Sequence, residues 1–218
     1  MIDVDRGPAP PSLTSGRYDG DDVIVALHRA FFGKCYLCER PLELGDLEVE
    51  HRIPRAERPD LAAAWSNLYP SCDRCNAQRA KATPQGGYAS PGEGVETRVA
   101  QRAAPSANFN TAIVCSFSPT DPKDVAATNT AAELQRLHEV ESSRGIRKRF
   151  KGVDLLKSIA EHYVREVSHL ERRVLDARAS GHSAHEAEAL LRVRLSRKAR
   201  FTMLMRSLVD ASLSDLFD

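Results

Sequence analysis

The spacing of apolar residues changes several times along this chain, and each change predicts an element. Val23, Ile24, Leu27 and Phe31 recur at helical intervals up to Gly33, and Asp21 stands where a capping residue would begin that helix. Leu47 to His51 alternates apolar and polar, which predicts a half-buried strand. Leu61 to Trp65 suggests a short helix, and Cys72 opens another that runs toward Lys81. Thr111 to Phe117 reads as one buried strand. After it the pattern turns helical: Thr130 and Glu133 have capping-box spacing ahead of Leu134, Leu137 and Val140. Val153, Leu156, Ile159, Tyr163, Val167, Leu170 and Val174 form the stripe of a long amphipathic helix that Gly181 interrupts. Ser183 and Glu186 repeat the capping spacing before a last helix through Leu190, Val193, Phe201, Leu204 and Leu208.

Two stretches lack periodicity. Residues 1–20 contain Pro8, Pro10 and Pro11 and few apolar positions, so a flexible arm is expected. Residues 83–110 are rich in Gly, Pro and Ser and read as a loop or linker. The expected layout is therefore an arm (1–20), a compact module (21–82), the linker (83–110) and a mainly helical C-terminal region (111–218), in the α+β class. No internal repeat is visible.

Charge and composition narrow the classes without choosing one. The formal net charge is +1, which does not announce a nucleic-acid binder. Phosphate contact needs only a local cluster, however, and Arg147-Lys148-Arg149 with Lys151, and Arg192, Arg194, Arg197, Lys198 and Arg200, supply two. A solvated helix face is the equal alternative for both. No apolar run approaches the ~20 residues of a membrane helix, and the opening Met1-Ile-Asp-Val-Asp5 is too acidic for a secretory signal. A cytoplasmic protein with no membrane partner is expected.

The cysteines change the picture. Cys35-x-x-Cys38 and Cys72-x-x-Cys75 each present two thiolates from a tight knuckle, and four thiolates complete a tetrahedral structural zinc site. A redox dithiol or reduced core cysteines would explain one such pair; two pairs of matching spacing favour zinc. Cys115 stands alone as a strand core residue. His182 and His185, at a Gly-Ser helix start with no third ligand in sight, are expected in solvent.

Between and beside the knuckles lie Glu50-His51 with Pro54, then Asn67-Leu68, then Asn76 directly after Cys75. This order resembles the zinc-knuckle subclass of the HNH (ββα-metal) nuclease family, over about Cys35 to Lys81. The resemblance implies a small ββα-metal module stapled by zinc, with His51 as general base and Glu50 and Asn76 as ligands of a catalytic Mg²⁺ or similar cation. It implies that Asn67 holds the loop and the catalytic His. The family more often has Asp at the position of Glu50; Glu48, on the same strand face, is an alternative oxygen donor or an ion-pair residue. Arg79 stands where the family commonly has Lys, with Lys81 close by, and these two with Arg52 are the expected phosphate contacts. Arg55 and Arg74 flank the same site. Taken singly, each has an ordinary reading: a surface His, a turn or cap Asn.

The chemistry suits the residue types. Phosphodiester hydrolysis needs a base for water, and a neutral imidazole, of ordinary pKa about 6.5, serves at cellular pH. A hard cation held by two protein oxygens stabilises the phosphate and the leaving oxygen. The expectation is an endonuclease, DNA favoured and RNA possible, against a zinc-ribbon binding module without chemistry. The layout is also similar to HNH proteins that pair with an ABC/SMC-like ATPase in anti-phage systems of the Septu type, some retron-linked. A stand-alone restriction-type nuclease is the rival.

Overall fold

The computed structural model describes residues 1–105, 113–139 and 152–218, with side chains for 1–102, 115–138 and 164–218. It divides into two compact units: residues 1–100 with 117–137, and residues 101–116 with 138–218.

In the first unit, helix α1 (Asp21–Ala30) buries Val23 and Leu27, the stripe its spacing predicts. Full burial of such a side chain is worth about 2 kcal/mol. Asp21 is the first helical residue rather than the cap; Gly20 takes the cap position, and Asp22 accepts from the amides of Ser12 and Val23. Gly33 ends the element in the left-handed region (φ 64°), where a Cβ would press on the His28 ring, and so releases the chain into the first cysteine knuckle.

Strand β1 (Glu48–His51) pairs antiparallel with β2 (Leu68–Ser71), with Glu48 opposite Ser71 and His51 opposite Leu68. Helix α2 (Asp73–Gln78) follows at once, completing a ββα unit. The strand β2 had no sequence signal, because a wholly buried four-residue strand containing Pro70 shows no alternation. The helix expected over Leu61–Trp65 is instead two single 3-10 turns, Pro59–Leu61 and Trp65–Asn67.

The first twenty residues are not a loose arm. Met1, Ile2 and Val4 are buried, and Pro11–Ser15 forms a 3-10 turn. Arg6 lies over the rings of Phe31, Trp65 and Tyr69 and donates to the Leu68 carbonyl. Asp3 accepts from the amides of Gly92, Gly94, Val95 and Glu96, at the start of helix α3 (Val95–Arg98). The segment expected as linker is likewise structured: Ala89, Val95 and Val99 are buried, and strand β3 (Val99–Pro105) pairs with β4 (Ile113–Pro119). Its glycines make left-handed turns within a packed surface. The strand expected over 111–117 overlaps β4; positions 106–112 lie outside the described residues.

Helix α4 (Val125–Glu139) starts five residues before Thr130, so the capping box proposed there is absent. Asp124 caps it, accepting from the Ala127 amide, while Thr130 and Glu133 tie the helix to the Ala89 carbonyl and the Ala80 amide.

The second unit is helical: α5 (Gly152–Ser180), α6 (His185–Leu195) and α7 (Thr202–Leu208). Val167, Leu170 and Val174 of the α5 stripe meet Leu191, Leu195 and Met205, and the half-buried Cys115 packs on the same core. The last helix is broken, since Phe201 adopts a left-handed conformation (φ 54°) that a continuous helix does not allow. Leu190 and Val193 are exposed and Ala187, Leu191 and Leu195 carry the contact, one residue out of phase with the expected stripe. Ser183 makes no cap bond to α6. His182 and His185 are exposed. Val140, Arg147, Lys148, Arg149 and Lys151 lie outside the described residues, as do the side chains of Val153, Leu156, Ile159 and Tyr163. No described helix is long and apolar enough to cross a membrane.

Candidate active site

The four knuckle cysteines converge. Their Sγ atoms all lie within 4.8 Å of one another, with Cys38 and Cys72 at 3.9 Å, and all four residues are buried. Zinc–thiolate bonds of about 2.3 Å in a tetrahedron imply sulfurs about 3.8 Å apart, so the cluster fits a zinc ion. Local structure sets this up: the Glu39 amide closes a turn on the Cys35 carbonyl, and Cys72 caps α2 by accepting from the Cys75 amide.

The knuckle at the head of α2 fixes how that helix meets β1. Glu48 and Glu50 share one face of the strand by alternation. Asn76 and Arg79, three residues apart, share one face of the helix end. The two faces interlock: the Asn76 amide donates to Glu48, and Arg79 donates to Glu50. The Glu50 side chain is 12% exposed; burial pushes its carboxyl up, and the Arg79 guanidinium opposes that. Neither the second Glu50 oxygen nor Asn76 Oδ1 has a hydrogen-bond partner among the described residues. These oxygens and those of Glu48 are donors of the kind a hard cation takes.

His51 closes β1 and is buried (8% exposed). Its Nε2 lies 2.9 Å from the Ala62 carbonyl. A carbonyl only accepts, so Nε2 carries the proton and Nδ1 of the neutral ring is left as the acceptor. Burial holds the imidazole below its usual pKa, against the Ala62 bond, and nearby Arg55 and Arg79 add to the lowering. Tyr18 packs edge-on against it, centroids 4.7 Å apart.

Asn67 is buried and spans the loop that supplies Ala62. Its Oδ1 accepts from the Ile53 amide at 2.8 Å, and its Nδ2 donates to the carbonyls of Ile53 (3.1 Å) and Leu61 (3.2 Å).

The expected phosphate contacts separate. Arg79 is 5% exposed and donates to Glu50 and to the carbonyls of His51 and Arg52, so it is a buried brace and not a free cation. Arg52 is paired with Glu93. Lys81 is exposed, with its ammonium on the Asn76 carbonyl. Arg74 donates to the Leu137 carbonyl, and Arg55 is exposed over the Tyr18 ring, 4.8 Å from its centroid.

Residues 35–81 match the HNH endonuclease family. The HNH segment thus covers both knuckles, the ββα unit and every residue singled out at the site except those of the preceding chain. A second likeness is to the Septu protein PtuB of Bacillus thuringiensis, 46% identical over 59 residues. That match spans 26% of this chain and 23% of the relative, so most of both lies outside it. No solved structure matches. Sequence reasoning missed what the preceding chain brings to the HNH segment: Arg6 on its aromatic residues and Tyr18 on His51. Isolated residues in an aperiodic segment carry no spacing signal.

Proposed function

We propose that this chain is a metal-dependent endonuclease that hydrolyses phosphodiester bonds, DNA foremost, with the HNH segment as its catalytic module. The observation that carries the reading is the His51 tautomer: a buried imidazole with Nε2–H spent on Ala62 and Nδ1 available as a base, one residue from Glu50. In this reading Nδ1 takes the proton of the attacking water, and the Ala62 carbonyl steadies the imidazolium that results. Asn67 keeps that carbonyl in place through the loop it spans. Glu50 and Asn76 hold the catalytic cation, with Glu48 adjoining. When bound, the cation supplies Lewis acidity to the phosphate and the leaving oxygen. The zinc cysteines keep α2 against β1, which a module with so small a core needs.

The test is plasmid nicking with Mg²⁺, with an RNA substrate run alongside. His51→Ala should abolish cleavage while zinc content and melting stay those of the parent. Full cleavage by that variant sinks the assignment. A zinc-ribbon binding module without chemistry would bind the plasmid and leave it uncut.

The likeness to a Septu protein supports a biological role as the nuclease effector of a bacterial anti-phage system, acting in the cytoplasm with an ABC/SMC-like ATPase partner. Co-expression with an adjacent ATPase gene, followed by affinity purification and phage challenge, tests it. A chain that stays monomeric and cuts equally fast alone favours a stand-alone restriction-type nuclease.

A further inference from the structure

We propose that Arg55, seated on the Tyr18 ring, contacts a non-bridging oxygen of the substrate phosphate beside His51, and that Tyr18 is the positioning residue for both. This deepens the nuclease reading and rests on it.

The geometry is a three-member cluster centred on the Tyr18 ring. The Arg55 guanidinium carbon lies 4.8 Å from the Tyr18 centroid, and the Tyr18 ring meets the His51 ring at 4.7 Å and 71°. One ring therefore carries the cation on one contact and the imidazole on another. Tyr18 lies between the 3-10 turn Pro11–Ser15 and α1 and is itself half-buried.

The neighbouring arginines are already engaged. Arg52 pairs with Glu93, Arg58 with Asp60 and Arg79 with Glu50, while Arg74 donates to the Leu137 carbonyl. Arg55 is exposed and makes no hydrogen bond or ion pair among the described residues. A guanidinium lying over an aromatic ring keeps its in-plane N–H donors free, and their fork matches two phosphate oxygens. An exposed arginine otherwise ranges over many rotamers; the ring contact removes much of that freedom before substrate arrives. An unengaged, pre-oriented fork beside the general base is what a phosphate-recognition group requires.

The test uses the full chain in two assays: plasmid nicking resolved into kcat and KM, and binding of a labelled duplex across a salt series. Arg55→Gln should raise KM by roughly tenfold or more, the loss of one charge-assisted contact. It should also flatten the slope of log affinity against log salt by about 0.9, one phosphate fewer on B-DNA. Arg55→Lys should keep the slope and recover only part of KM, because a point charge replaces the fork. Tyr18→Ala should lower kcat and raise KM together, and Tyr18→Phe should restore both, since the ring makes the contacts. Arg55→Gln with parental KM and salt slope overturns the proposal even where His51→Ala is inactive. Tyr18→Phe as damaged as Tyr18→Ala, with an unchanged melting temperature, overturns the positioning role. If Tyr18→Ala does not fold, the Arg55 pair and Tyr18→Phe decide. A parent that neither binds nor nicks removes the nuclease reading and this one with it.

Discussion

Replacing Asn67 with Ala should unfasten the loop that carries Ala62 without melting the zinc knot. The side chain is 3% exposed and makes three hydrogen bonds, to the Ile53 amide, the Ile53 carbonyl and the Leu61 carbonyl. At about 1 kcal/mol net for each, their loss costs about 3 kcal/mol, and more where the groups left behind stay dry. A step of 1.4 kcal/mol is tenfold, so about 3 kcal/mol means roughly a hundredfold loss of protection if the loop opens locally. Amide hydrogen exchange at Ile53 reads this directly, with the amides of α1 as the internal reference. Asn67→Asp is the informative companion. It keeps an acceptor for the Ile53 amide but sets a carboxylate against two carbonyls, so it should not rescue. Nicking should fall in both variants, because the Ala62 carbonyl that fixes the His51 tautomer sits in the freed loop. Wild-type exchange at Ile53 in Asn67→Ala would show that other contacts hold the loop and that the bond-by-bond reasoning is wrong.

Arg79→Met should be the more costly substitution, about 3–5 kcal/mol in a urea titration, because it strands a buried carboxylate and two carbonyls; a midpoint equal to the parent's refutes the brace. One zinc per chain is expected by mass spectrometry under native conditions, and Cys38→Ser or a strong chelator should abolish the near-ultraviolet circular dichroism of Tyr36 and Tyr69; retention of that signal without metal counts against a structural ion. Asp124 is held down to about 2 from 3.8, first by Arg98 and then by the Ala127 amide. Its folded pKa is depressed, so its contribution is present above about 3.8 and is lost as pH falls through about 2. Carboxyl NMR should give that midpoint, Arg98→Gln should raise it, and an unshifted Asp124 would remove the cap-and-pair account of how α4 begins.

The cysteine cluster was legible because tetrahedral thiolate binding demands one residue type at fixed spacing. Two Cys-x-x-Cys pairs mark a candidate zinc frame whatever the surroundings. The helix α1 and the Val167, Leu170 and Val174 part of the α5 stripe were legible from a single amphipathic period. The strand β2 was not, since four buried residues with a proline have no period. Arg79 was misread as a phosphate contact because burial is a tertiary property: nothing in its neighbours along the chain announces that Glu50 and two carbonyls close around it. The N-terminal residues failed for a similar reason. Ile2 and Val4 alternate too briefly to register, and the partners of Asp3 lie some ninety positions away.

These links have a practical bearing on where such a module can be cut out or grafted. The stretch that resembles a family and the body that folds have different borders. Excising positions 35–81 would strip Tyr69 of Arg6 and Phe31, deprive His51 of Tyr18, and leave Arg74 and the Ala80 amide without their partners on α4. A transplantable cassette has to start at the very first residues and run through α4.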